Sequence, residues 1–228
     1  MTPGRTQVDV GRIPHPFDAP GVFGFLAARA VTGVEVADLS EDRLRYARTL
    51  ALPHGPAAID VVASWTPGPG WQVQVRLELS SPEDRGAALA QVRRLLDLDT
   101  DPSAVDAALS EDPVLAPLVT RTPGIRVPGA VDPHELLVRA LVGQQISVAA
   151  ARTHLGRLAA RVGSPHVSRV TGLDRLFPSA AQISAAVPAP VPGEPLDPDR
   201  PLRLPGQAVR SLVATCGALA DGTLDLGG

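Results

Sequence analysis

Two spacings of apolar residues divide the chain. Between residues 57 and 79 the period is two. Trp71, Val73, Val75, Leu77 and Leu79 interleave with Gln72, Gln74, Arg76 and Glu78, and Ile59, Val61, Ala63 and Trp65 alternate with Asp60, Val62 and Ser64. Alternation puts one set of side chains on one face of a strand. The turn-forming run TPGPG at 66–70 separates the two strands, so 57–79 is predicted to be a hairpin. Leu44, Tyr46, Leu50 and Leu52 predict a third strand upstream, while VFGFLAARAV (22–31) has helical composition. In residues 80–98 a serine cap, Pro82 and two acids precede Leu89, Val92 and Leu96 on one helical face.

From Pro102 onward every periodic segment is helical. DPSAVDAALS and PVLAPLV predict short helices, RTPGIRVPG (121–129) a loop, and DPHELLVRALVG (132–143) and ISVAAARTHLGRLAARVG (146–163) consecutive helices. Ser179 is a plausible cap for PSAAQISAAV (178–187). Seven prolines in 188–205 predict an irregular connection, and GQAVRSLVATCGALADG (206–222) a final amphipathic helix. The predicted organisation is a flexible N-terminus over 1–12, an α+β domain over 13–101 and a helical domain over 102–228.

Composition excludes more than it assigns. At 44% apolar and 20% charged, with a net charge of −3, the chain is not a basic coat for nucleic acid. All 21 basic residues are arginine. Charge is uneven: residues 78–112 carry nine acids against three arginines, and residues 121–175 carry eight arginines against three acids. The latter excess is a weak pointer to a polyanion. The single cysteine, Cys216, allows no disulfide within this chain and reads as a small buried side chain. No signal-peptide core and no run of about 20 apolar residues is visible, which makes the cytoplasm the expected location.

The five histidines (His15, His54, His134, His154 and His166) show no ligand spacing, so no metal site is expected. No nucleophile elbow, phosphate-binding loop or dinucleotide fingerprint occurs, and no cofactor is expected. What stands out is LVGQQISVAAARTH (141–154), where Gln144 and Gln145 sit side by side in an otherwise apolar stretch. Burying an unpaired amide costs a few kcal/mol, about 1–3 by mutational scales. Two readings remain open. The amides can cap a helix junction after Gly143, or they can project toward a nucleobase or phosphate.

Two stretches carry a resemblance to a known family. GFLAARAVTGVEV (24–36), followed by YARTL (46–50), and RVPGAVDPHELLVRALVGQQISVAAA (126–151) are similar to the DNA-3-methyladenine glycosylase II family, the AlkA-type alkylation-repair enzymes. The similarity runs from about Ile13 to the last residue in the family's order. It implies an N-terminal antiparallel sheet with helices, like half of a TATA-binding protein, then a helical domain with a helix-hairpin-helix motif. It further implies an enzyme that bends double-stranded DNA, wedges a side chain into the stack and flips the damaged base into a pocket. The family's wedge position falls on Gln145, and Phe25 matches an aromatic that reaches the base pocket, with plain core packing as its ordinary role. Gln144 and Ser147 match positions near the wedge, and Arg152 is expected to hold the DNA backbone. The expected partner is alkylated duplex DNA, bound by a monomer without metal or membrane.

One departure limits the expected activity. The family's hairpin reads roughly Leu-Pro-Gly-Ile-Gly-x-x-Thr-Ala, with the catalytic aspartate some two dozen residues later. LPGQAVRSL (204–212) has Leu-Pro-Gly but neither the second glycine nor the Thr-Ala pair, and Asp221 and Asp225 follow too closely. Residues 202–226 align better with the helix before that hairpin. The helical domain is therefore expected to be incomplete, with the catalytic aspartate absent and base release slight. The alternative reading is a non-enzymatic DNA-lesion binding or regulatory module, as in fusions of such glycosylases to methyl-accepting regulators.

Overall fold

The computed structural model describes residues 4–8, 10, 13–68 and 70–226. Contacts divide the chain into two units, Met1–Ala28 with Ala37–Ala130, and Arg29–Val36 with Val131–Gly228.

The first unit is built on a five-stranded antiparallel sheet in the order β1-β5-β4-β3-β2. The strands are β1 (Gly4–Val8), β2 (Glu35–Leu39), β3 (Arg43–Leu52), β4 (Gly55–Thr66) and β5 (Gly70–Leu79). The hairpin predicted at 57–79 forms, with Ile59 opposite Leu77, Val61 opposite Val75 and Trp65 opposite Trp71. The two tryptophan rings meet edge to face with centroids 5.6 Å apart. Central β4 is buried continuously from Ala57 to Ala63, so both its faces are covered. The buried Asp60 is tolerated because Arg45 Nε donates to it at 2.7 Å. Where the sequence predicts a flexible N-terminus over 1–12, residues 4–8 pair with β5, Thr6 opposite Leu77 and Val8 opposite Val75. Residues 1–3, 9, 11 and 12 lie outside the described residues.

Helix α1 (Ala19–Arg29) buries Ala19, Val22, Phe23 and Leu26. A 3-10 turn at Pro82–Asp84, capped by Ser81, leads into α2 (Arg85–Leu95), which packs on β3, β4 and β5. Helices α3 (Pro102–Leu109) and α4 (Ala116–Arg121) follow. By contacts they and the loop through Ala130 fall in this first unit, whereas helical periodicity suggests a boundary after residue 101. Hydrogen bonds explain the difference. Gly124 N–H donates to Asp106 Oδ2 at 2.8 Å, and Asp18 N–H donates to the Gly124 carbonyl at 3.0 Å. The Arg126 guanidinium donates to the carbonyls of Thr100 at 2.7 Å, Pro14 at 2.8 Å and Asp97 at 3.0 Å, over the Phe17 ring.

Bonds of this kind also account for part of the acidic run. Asp84 accepts from the His54 N–H and ring, Asp97 from Val127 N–H and the Thr100 hydroxyl, and Asp101 caps α3. Asp112 accepts from Val114 N–H. The acids satisfy backbone donors that loops leave orphaned.

The second unit holds α5 (Pro133–Gly143), α6 (Val148–Val162), α7 (Ala180–Ala186) and α8 (Gly206–Ala220). Asp132, Ser147 and Ser179 accept hydrogen bonds at the starts of α5, α6 and α7. The core joins Val138, Val142, Leu155, Leu158, Ile183, Leu212 and Cys216 with Val31 and Val34 from the early segment. Gly33 O accepts from Asp174 N–H at 2.9 Å and Arg175 N–H at 3.0 Å. The proline-rich connection is irregular, as predicted, yet anchored: Leu202 and Leu204 are buried. Among the described residues no helix is long and apolar enough to cross a membrane.

Candidate nucleic-acid interface

The paired amides occupy the turn between α5 and α6. Helix α5 ends at Gly143, and Gln144 leaves it in an extended conformation, φ −62° and ψ 128°. Gln145 then adopts the left-handed region at φ 61°, one of two such non-glycine residues among those described. This conformation costs an ordinary L-residue about 1–2 kcal/mol. Ile146 turns back onto the helical core. Ser147 opens α6, its hydroxyl oxygen accepting the Ala150 N–H at 3.2 Å. Both glutamines are exposed, so neither meets a burial penalty. Capping belongs to Ser147, and neither amide side chain has a hydrogen-bond partner among the described residues.

The helices around this turn are braced by Arg139, which the sequence did not single out, and by Arg152, which it did. Arg139 Nε donates to Glu135 at 2.8 Å and Nη2 to Glu35 at 2.8 Å, with the guanidinium 5.3 Å from the Phe177 ring centre. Both carboxylates are buried. The Glu135–Arg139 spacing of four is legible in a helix, but Glu35 lies far off in sequence. Arg152 is exposed and donates Nε to the Ala30 carbonyl at 3.0 Å.

The basic excess of 121–175 is thus less available than its count suggests. Arg126 is buried among carbonyls, with burial pushing its pKa down, and Arg139 is held by two carboxylates. Arg161 donates to the Asp199 carbonyl. Arg121, Arg152, Arg161 and Arg169 remain exposed. His154, on α6, has a buried Nδ1 without a hydrogen-bond partner. Burial chiefly, then the charges of Arg157 and Arg200, holds its pKa below the ordinary value.

Phe25 lies on α1 in the first unit at 42% exposure, whereas its neighbours Phe23 and Leu26 are buried. An exposed ring on a helix with a separate buried stripe is not ordinary core packing. Cys216 is buried and its thiol is pushed up to about 11 by desolvation, which makes it unreactive at neutral pH. Among the described residues no group of three or more His, Cys, Asp or Glu could hold a metal ion. Leu204-Pro205-Gly206 leads directly into α8 out of the irregular connection, so LPGQAVRSL is a helix start and not a hairpin between two helices.

Residues 12–132 match the family described as the AlkA N-terminal domain. Over 92% of its length the chain is 42% identical to a Mycobacterium tuberculosis protein named probable bifunctional transcriptional activator/DNA repair enzyme AlkA, and it spans 38% of that relative. It is 32% identical to DNA-3-methyladenine glycosylase 2 of Escherichia coli over 92% of this chain and 67% of that one. Among solved structures, the 3-methyladenine DNA-glycosylase from Archaeoglobus fulgidus superposes with a TM-score of 0.66 at 18% identity, covering 92% of this chain and 66% of that one. The Clostridium acetobutylicum 8-oxoguanine glycosylase/lyase in complex with DNA gives 0.51 at 15% identity over 85% and 68%. At such identities these two show the fold. By its matched domain and its identity along nearly the whole sequence, the chain belongs to the family of AlkA and DNA-3-methyladenine glycosylase 2.

Proposed function

We propose that this chain carries the part of an alkylation-repair glycosylase that grips duplex DNA and opens it at a damaged base. The observation behind this reading is the α5–α6 turn, where an exposed amide side chain stands on a left-handed backbone. Gln145 enters the stack in place of the displaced nucleotide, and its amide, which can both donate and accept, meets the base left opposite. Gln144 and Ser147 lie beside it in sequence and contact the adjoining backbone. Phe25 faces the extruded base. Alkylated purines such as 3-methyladenine carry positive charge, which an aromatic face attracts. The chain acts as a monomer in the cytoplasm, without metal or cofactor.

Unpairing a base costs a few kcal/mol, about 2–4, least at a damaged pair, so binding selects lesions before any bond is cut. Cleavage needs a carboxylate to stabilise the charge that develops on the sugar. No aspartate of residues 1–228 stands in the family's Leu-Pro-Gly-Ile-Gly context, so base release by these residues is expected at background. The test combines two assays. Fluorescence anisotropy should register binding to methylated or abasic duplex that weakens steeply with salt. Release of 3-methyladenine from methylated DNA should stay at the level of a protein-free control. Robust turnover would overturn the second half of the proposal and direct attention to Asp221 and Asp225.

A second reading is a lesion-binding or regulatory module. It is favoured by the M. tuberculosis relative, of which this chain spans 38% and which is named a probable transcriptional activator as well as a repair enzyme. Lesion binding with no release, unaltered when the chain is extended to the length of such a relative, would select it.

A further inference from the structure

Arg139 and Arg152 stand on either side of the α5–α6 turn and reach adjacent carbonyls. Arg139, on α5, donates Nη1 to the Arg29 carbonyl at 3.3 Å. Arg152, on α6, donates Nε to the Ala30 carbonyl at 3.0 Å. Both acceptors belong to the Arg29–Val36 segment of the helical unit. That segment is itself closed: Val31 N–H donates to Glu35 Oε2 at 2.7 Å, and Val31 and Val34 are wholly buried. Glu35 is also the carboxylate that holds Arg139. One turn beyond Arg152, Gly156 lies so near Thr32 that an added Cβ would meet its Cβ at 3.7 Å. Two helices joined by a short turn are thus tied to a common fixed point.

We propose that Arg139, Arg152 and the carbonyls of residues 29 and 30 form a clamp that sets the angle between α5 and α6 and so holds Gln145 left-handed before DNA arrives. Arg152 is then a positioning residue and not a phosphate ligand. The inference rests on the reading of Gln145 as the residue that enters the stack. The atom used supports it: Nε is the guanidinium donor nearest the backbone, and donating it orients the side chain along the protein. The terminal Nη donors are not used in that bond, so the substitutions below decide between positioning and phosphate contact. Pre-orientation matters because a side chain already in place avoids an ordering cost on binding.

Two substitutions of the full chain separate the roles. Arg152→Lys keeps the charge but has a methylene where Nε stood, and Arg152→Gln removes both charge and that donor. Arg152 is exposed, so both variants should fold. Hydrogen exchange of the free protein should rise about five-fold at Ala150 and Ala151, the bonded amides that open α6, in both, the loss of one hydrogen bond. Brightening of 2-aminopurine opposite Gln145 in an abasic duplex should fall similarly in both. The slope of log affinity against log salt should not change. If Arg152→Lys matches the wild type while Arg152→Gln flattens the slope by about one unit, Arg152 is a phosphate ligand and the clamp is wrong. Unchanged exchange in both variants, or faster exchange with undiminished opening, also overturns it. If the wild type binds no duplex, the functional reading falls, and exchange alone still decides whether the clamp exists.

Discussion

Gln145 holds a backbone conformation that glycine would take freely, and nothing about its side chain's own bonding requires it there. That combination makes a clean test. Gln145→Gly relieves the left-handed penalty and should leave the urea midpoint unchanged or slightly raised, yet lower affinity for abasic duplex several-fold. Gln145→Ala keeps the penalty and should lose the same affinity. If both bind as the wild type does, the paired amides have no role in DNA. The oddity of the pair was legible in sequence from polarity alone, but its left-handed backbone was not, because no glycine or asparagine marks the position. His154 was likewise legible only as a residue inside a helix. Its folded pKa lies below the unfolded 6.5, so the native state resists protonation that the unfolded chain accepts. Stability is therefore complete above pH 6.5 and falls as pH drops below it. Thermal melts between pH 7.5 and 5.5 should show that decline, and His154→Leu should reduce it.

Among elements, those with strong periodicity or caps were readable. The β4–β5 hairpin followed from alternation and a Pro/Gly turn, and the starts of the 80–98 segment and of α7 from their serine caps. Strands β1 and β2 were missed because edge strands are short and polar: β2 is exposed over its last three residues. The same limit applied to charge. A count of arginines cannot tell a guanidinium that faces solvent from one, like Arg126, that binds carbonyls in the interior. The division of labour in the α5–α6 turn can be measured at this scale. Ser147→Ala removes the cap of α6 and should cost about 1 kcal/mol in urea denaturation. Gln144→Ala should cost nothing measurable there, since that amide makes no bond within the described residues.

At the scale of the molecule, helical and sheet periodicities did not locate the boundary between units, because membership is decided by contacts between residues far apart in sequence. Residues 29–36 supply Val31, Val34 and Glu35 to the helical unit, although residues of the first unit precede and follow them. A fragment of residues 131–228 thus lacks two buried valines, one of the two carboxylate partners of Arg139 and both carbonyls that the arginines grip. It should give a poorly dispersed amide spectrum and no cooperative melt, and supplying residues 29–36 on a linker should restore one. A sharp transition from the bare fragment would mean that the helices are self-sufficient.

That discontinuity also orders events during synthesis. The sheet's strands all emerge before residue 80, but Val31 and Val34 must wait for α5, α6 and α8. At about 5–20 residues per second, the wait until α8 is complete lasts roughly 7–28 s. For that interval the nascent chain displays Val31 and Val34 uncovered, while the strands on either side of them are already available to pair. Chaperone engagement, and sensitivity to synonymous changes in translation speed, should concentrate between codons 80 and 206.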